Sequence, residues 1–351
     1  MGKYLLKRMG LMLITFVITV FLYFVFIKMM PDNVVPQIGH DNRHLEIHMK
    51  REGWDKPIIV QFGLWVKNIF TTGSFGFSQL HRVDAATLFF SKIPASIKIN
   101  IIPYILSIPI AIFLGVTAAL YKDKPIDTAI SVFVIIFISV PYFVVAVLSQ
   151  YLFYFRLGWA PSHVIATPSQ FARDFWFGIS SYILPVSVLT ITSVPGTTRS
   201  IRAELTEQLT ADYMLLARSK GLSKREATYK HALKNAIAPF LPGMIIGVIG
   251  VMSGGIITEN IFRVDGTGRI YLAAFNDRDY PVLMLVTVFS QFLSLITSIL
   301  VDVSYTLFDP RIKYGSRKIE AWKYKILIKV NLCSSIVKMK LLQMNCLKVR
   351  S

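Results

Sequence analysis

DYMLLARSKGLSKRE, Asp212 to Glu226, is polar and basic, and a single glycine breaks it. Tyr213, Leu216, Ala217 and Lys220 fall at i, i+3, i+4 and i+7, which predicts a short amphipathic helix. Gly221 follows where a left-handed residue closes a helix. Ser223 stands three residues before Glu226, the spacing of a capping box. A second helix is therefore predicted from Lys224 to about Ala236. Asn235 and Pro239 mark its return to a different kind of sequence.

The surroundings of this elbow are oily. The 351-residue chain is 54% hydrophobic and 17% charged, whereas soluble domains carry about 25% charged residues. Mean hydropathy is +0.54. Several apolar runs reach the ~20 residues needed to cross a hydrocarbon core. Six spans are predicted, at about 9–28, 94–121, 127–155, 178–198, 236–258 and 280–307. The first apolar run, Met9 to Ile27, is longer than a signal-peptide core and no small-residue cleavage site follows, so it reads as an uncleaved span.

Lys and Arg give the orientation. With the N-terminus inside, segments 1–8, 122–126, 199–235 and 308–351 hold 24 basic residues, against 12 in 29–93, 156–177 and 259–279. The positive-inside rule then puts both termini and the elbow in the cytoplasm. The net charge of +18 reads as this asymmetry and as attraction to anionic lipid, not as a nucleic-acid surface. Cys333 and Cys346 form neither a disulfide framework nor a metal motif.

The expected spans carry Pro103, Pro109, Pro141, Pro185, Pro195, Pro239 and Pro242, each able to free a carbonyl and kink a helix. In the fifth span Gly243, Gly247, Gly250 and Gly254 recur at i, i+4, i+7 and i+11, a smooth stripe for helix packing or path lining. No span centre holds an Asp, Glu or His, which argues against a proton-driven carrier. Lys98 and Asp302 lie near span ends, where long or charged side chains can snorkel. His40, His44 and His48 share a helical spacing in the first outer segment, 29–93. Two histidines one turn apart can ligate a metal, though a solvated helix face is the simpler reading, and no metal is assigned.

For the elbow three readings compete. A DNA-reading helix–turn–helix fits the charge, but the nearby bilayer obstructs groove docking. A basic helix resting on lipid is the plain structural alternative. The third is a docking element, in which a rigid capped elbow between two spans converts partner motion into span motion. Asp212, Tyr213, Ala217, Arg218, Lys220, Gly221, His231, Ala232, Leu233 and Asn235 closely resemble the coupling loop of permease subunits of binding-protein-dependent ABC importers, in the peptide and nickel branch. GWDKPIIVQFGLWV, GSFGFS, NDRDYPVL and LFDPRIKYG extend the likeness to the first permease subunit of oligopeptide and dipeptide transporters, over residues 1–316.

This resemblance implies an all-α, polytopic, six-span permease domain (1–316) of the type I importer fold, with the coupling loop at 199–235. It implies a second homologous permease, two ATP-binding subunits and an extracytoplasmic binding lipoprotein, with no cofactor on this chain and ATP and Mg used by the partner. The sequence itself lacks GxxxxGK[ST], so hydrolysis belongs to another chain. Two outer positions depart from the family pattern: Ser74 stands where Asp is common, and Asp265 where a Pro usually precedes the Gly. The tail, 317–351, is basic, partly apolar and unlike the family. Nickel or another small solute is the alternative cargo; an ion-driven carrier or a His-cluster membrane enzyme is the alternative class.

Overall fold

The structure is a computed structural model that describes residues 2–30, 53, 55–78 and 80–308. The histidine cluster at 40, 44 and 48, the LFDPRIKYG motif beyond Phe308 and the tail lie outside these residues. In chain order the helices are α1 (Gly2–Met29), α2 (Ile58–Thr72), α3 (Ala85–Leu120), α4 (Pro125–Ser139), α5 (Tyr142–Ser149), α6 (Pro168–Arg173), α7 (Phe175–Ser180) and α8 (Ile183–Thr210). Then follow α9 (Asp212–Ser219), α10 (Lys224–Ala227), α11 (Leu233–Ile237), α12 (Leu241–Gly250), α13 (Ile256–Ile261), α14 (Thr267–Asn276) and α15 (Tyr280–Phe308). A two-residue hairpin, β1 (Phe77–Ser78) against β2 (Val83–Asp84), is the one departure from all-α among the described residues.

Among the described residues four helical stretches are long and apolar enough to cross a membrane: Leu6–Met29, Ala85–Leu120, Phe175–Thr210 and Tyr280–Ser304. The other two expected spans are bent. Pro125–Ser139 meets Tyr142–Arg156 at 98°, and Arg225–Phe240 meets Gly243–Ser253 at 46°. Pro141 sits in the first bend. Pro239 and Pro242 sit at the second, with a 3-10 turn at Ala238–Phe240. Pro94, Pro103 and Pro109 stay inside one continuous α3, and Pro195 stays inside α8. Proline therefore marks a break only where the chain also changes direction. Leu13, Phe113 and Ile135 remain more than 60% exposed, the apolar exterior that lipid or a neighbouring span covers.

Three clusters hold the bundle. At one end Val20, Phe24 and Ile27 of α1 pack on Ala85 and Phe89 of α3 and on the first turns of α15. In the middle Ile99, Ala146, Leu184, Val188 and Phe262 join α3, α5, α8 and α13. At the other end α3 and α8 pack on the elbow. Asp302 does not snorkel. It is buried and pairs with Arg8, joining the first and last helices.

The glycine stripe is only partly a stripe. α12 ends at Gly250, a 3-10 turn covers Val251–Ser253, and Gly254 lies beyond the helix at φ +70°. The turn at Gly254 takes that residue off the shared face. A Cβ on Gly247 would sit 2.3 Å from the Tyr104 ring, whose hydroxyl donates to the Met244 carbonyl. Gly243 and Gly250 meet nothing within 4 Å. Gly247 thus packs α12 on α3.

Both departures from the family pattern have local partners. Ser74 Oγ donates to Asp84 Oδ2 at 2.7 Å, while Asp84 Oδ1 caps α3 through the Ala86 N–H at 2.9 Å. An aspartate at 74 would oppose that carboxylate. Asp265 pairs with Lys92 Nζ at 2.6 Å.

Ser78 of the hairpin donates to the buried carboxylate of Asp279, just ahead of α15. Burial raises the Asp279 pKa, opposed by the Ser78 hydroxyl and the Val282 N–H. A raised carboxyl binds its proton more tightly folded than unfolded. Its stabilising contribution is full below the unfolded pKa and is lost as pH rises through the folded one. Asp279→Asn keeps an acceptor for Ser78 without the charge. It should raise the melting temperature in detergent above neutral pH and flatten its decline with pH; a lower melting temperature there would contradict this account.

Candidate functional site

The elbow is built by local rules. α9 ends at Lys220, and Gly221 adopts φ +90°. The Gly221 N–H donates to the Arg218 carbonyl at 3.0 Å and the Leu222 N–H to the Ala217 carbonyl at 3.3 Å. That is a Schellman closure, with Ala217 and Leu222 supplying its apolar contact. Ser223 N–H donates to Glu226 Oε2 at 3.0 Å, and Glu226 N–H donates back to Ser223 Oγ at 3.2 Å, which completes the expected capping box. Tyr213 donates its hydroxyl to Gln208 Oε1 at 2.7 Å, tying α9 to the end of α8.

The expected coupling loop is more helical and more embedded than its sequence indicates. α8 runs on to Thr210, so residues 199–210 continue the fourth span. The second helix of the elbow is not regular. Thr228–Ala232 forms a π turn, in which the Leu233 N–H reaches the Thr228 carbonyl. The extra residue rephases the helix so that Ala227, Ala232 and Ala236 all face inward at 0% exposure. They pack with Met214 and Ala217 on Val116 and Ala119 of α3 and on Ile201 and Leu205 of α8. Alanine at every one of these positions lets the helices approach closely without fixing long rotamers.

The face of α9 also differs from expectation. Met214 and Ala217 point inward, and Tyr213 is half-buried, while Leu216 and Lys220 face out. Ala217 is 8% exposed and packs within the elbow's own core. Leu215 and Leu216 stand 65% and 56% exposed at the tip. Asp212, Arg218, Gly221, His231 and Asn235 are also on the surface. Two adjacent leucines thus stand exposed on the outer face of α9, between Asp212 and Arg218.

One fastening was not foreseen. Arg202 of α8 forks onto Asp127 in the first turn of α4, with Nε to Oδ1 at 2.5 Å and Nη2 to Oδ2 at 2.6 Å. Asp127 is 3% exposed and also accepts the Asp123 N–H at 3.0 Å. The pair sits one helical segment away from the elbow and locks α4 to the helix that carries it. An Asp within four residues of a Lys-Asp-Lys turn was the available sign in the sequence, but nothing local names Arg202 as its partner. Arg202→Ala strands a buried carboxylate, a change that costs about 3 kcal/mol or more. It should lower the melting temperature in detergent more than the Asp127→Ala/Arg202→Ala double variant does; a double variant that loses the sum of the two single losses would show that the pair is not coupled.

Residues 111–314 match the family described as binding-protein-dependent transport system inner membrane component, and residues 1–97 match the N-terminal membrane component of such systems. The dipeptide transport system permease protein DppB of Lactococcus lactis subsp. cremoris is 30% identical over 89% of this chain and 100% of that one. Its namesake in Bacillus subtilis is 30% identical over 89% of this chain and 98% of that one. The oligopeptide transport system permease protein AppB of Bacillus subtilis is 28% identical over 90% and 100%. Among solved structures, an amino acid ABC transporter with histidines overlays at a TM-score of 0.47 and 18% identity, covering 65% of this chain and 95% of that chain. The chain belongs to the family of inner membrane components of binding-protein-dependent transport systems, as a multi-pass permease subunit.

Proposed function

We propose that this family member forms, with a second homologous permease, the path of a peptide importer powered by separate ATP-binding subunits. One observation carries the reading: the elbow is closed at Gly221 and Ser223–Glu226 and packed onto α3 and α8, yet leaves Leu215 and Leu216 outside. An ATP-binding subunit gripping that tip would move two membrane helices as one body. Asp212, Tyr213, Arg218, Lys220, His231 and Asn235 would frame the grip. Asp212 suits the positive end of α9. Arg218 and Lys220 offer charge to acidic groups. In this reading ATP and Mg belong to the partner, and this chain binds no cofactor and no nucleic acid.

The basic asymmetry of the sequence supports cytoplasmic termini and a cytoplasmic elbow in the cell membrane. An extracytoplasmic binding lipoprotein would then deliver cargo at the opposite face. The names of the three relatives above support peptides as that cargo.

Two variants test the elbow. Leu216→Cys, with Cys333 and Cys346 replaced by serine, should crosslink to an ATP-binding subunit in the assembled transporter. Labelling of that cysteine by an impermeant reagent outside intact cells would overturn the orientation. A Cβ at Gly221 meets no atom within 4 Å, so the cost of Gly221→Val is chiefly backbone strain of about 1–2 kcal/mol. It should leave the protein inserted while breaking the link between ATP hydrolysis and uptake; normal uptake with normal ATPase stimulation would count against the assignment.

A further inference from the structure

The fifth membrane segment tightens to a 3-10 turn at Val251–Ser253 and leaves helix altogether at Gly254–Gly255, and a carboxylate is buried beside the break. Glu259 of α13 is 0% exposed. Its Oε1 accepts the Ser96 hydroxyl of α3 at 2.7 Å and the Gly255 N–H at 3.3 Å; its Oε2 accepts the Arg269 N–H of α14 at 2.9 Å. Ser96 Oγ in turn accepts the Thr267 N–H at 2.8 Å. Thr267 Oγ1 donates to the Ser253 carbonyl at 3.3 Å. One carboxyl group therefore ties the break, α3 and the start of α14 together.

The surrounding chain is shaped to this carboxyl. A Cβ on Gly254 would lie 2.6 Å from Glu259 Oε1, and one on Gly266 would lie 2.6 Å from Glu259 Cδ. A Cβ on Gly268 would lie 2.7 Å from the Ile256 nitrogen, so the two glycine turns touch backbone to backbone. Gly254 has φ +70° and ψ 170°, a region open essentially to glycine alone.

The other side of the break is open. Ser253 is exposed, Gly254 and Gly255 are half-buried, and Ile256 and Ile257 are 41% and 50% exposed. Gly254 and Gly255 fall inside the span expected at 236–258, and non-helical backbone within a membrane is covered by protein or lines a wet cavity. We propose that Ser253–Ile257 lines the translocation path as its seal, and that Glu259 is the positioning residue that holds this seal shut through Ser96, Thr267 and Gly255. The inference rests on the chain forming a path, which its family gives, and not on the cargo proposed above.

The test uses the assembled transporter in liposomes holding a small trapped polar fluorophore, without nucleotide. Glu259→Ala should release the dye several-fold faster than wild type, and Ser96→Ala should raise release by less. In a background with Cys333 and Cys346 replaced by serine, Ser253→Cys should react with an impermeant maleimide several-fold faster when Glu259→Ala is also present. A merely structural role would lower assembly or melting temperature and leave assembled vesicles tight. Tight vesicles and unchanged labelling in both variants overturn the proposal. If Glu259→Ala does not assemble, Ser96→Ala, which removes one hydroxyl, decides alone: faster release supports the seal and wild-type release refutes it.

Discussion

Backbone amides have no partner in hydrocarbon, and that constraint orders this chain. Where helices run straight the requirement is met within each helix. Where they break, side chains take over. Gln150 Nε2 donates to the carbonyls of His163 at 2.7 Å and Ile261 at 3.1 Å, covering the end of one bent segment. Glu259 performs the converse service, accepting the N–H groups of Gly255 and Arg269 at another.

The same economy separates the two ends of the bundle. At the elbow the contacts are alanine on helix, close and nearly free of rotamer choice, so displacement of α9 has little slack to absorb it. The Arg202–Asp127 fork extends that rigid body to α4. At the opposite end the contacts are large aromatic and aliphatic groups around Phe24, Phe62, Trp65 and Phe89, backed by a short hairpin and two carboxylates. One end of the bundle thus packs through small side chains and the other through large ones.

Much of this was legible in the sequence because it depends on neighbours. Gly221 and the Ser223–Glu226 box act over three or four residues, and a 20-residue apolar run needs no tertiary context. What escaped depends on distant partners. The π turn at Thr228–Ala232 exists because Ala227, Ala232 and Ala236 must share a face against α3 and α8, which no local spacing announces. The outward turn of Leu216 follows from the same packing. Proline was an ambiguous sign: Pro141 accompanies a 98° bend, while Pro103 and Pro109 lie within an unbroken helix. Glu259 read as the first residue of a polar outer loop, because only the fold brings Ser96 and Thr267 to it.

The hydroxyl of Tyr280 donates to the carbonyl of Met30 at 3.0 Å, across 250 residues of chain. Together with the Arg8–Asp302 pair, it joins α1 to α15, the last of the described helices. At a synthesis rate of about 5–20 residues per second, that neighbour emerges roughly 12–50 seconds later. During that interval α1 has, among the described residues, only α2 and the first turns of α3 as partners, through Phe62, Trp65, Ala85 and Phe89. The order of synthesis thus lets α1 meet α2 and α3 well before it closes on α15.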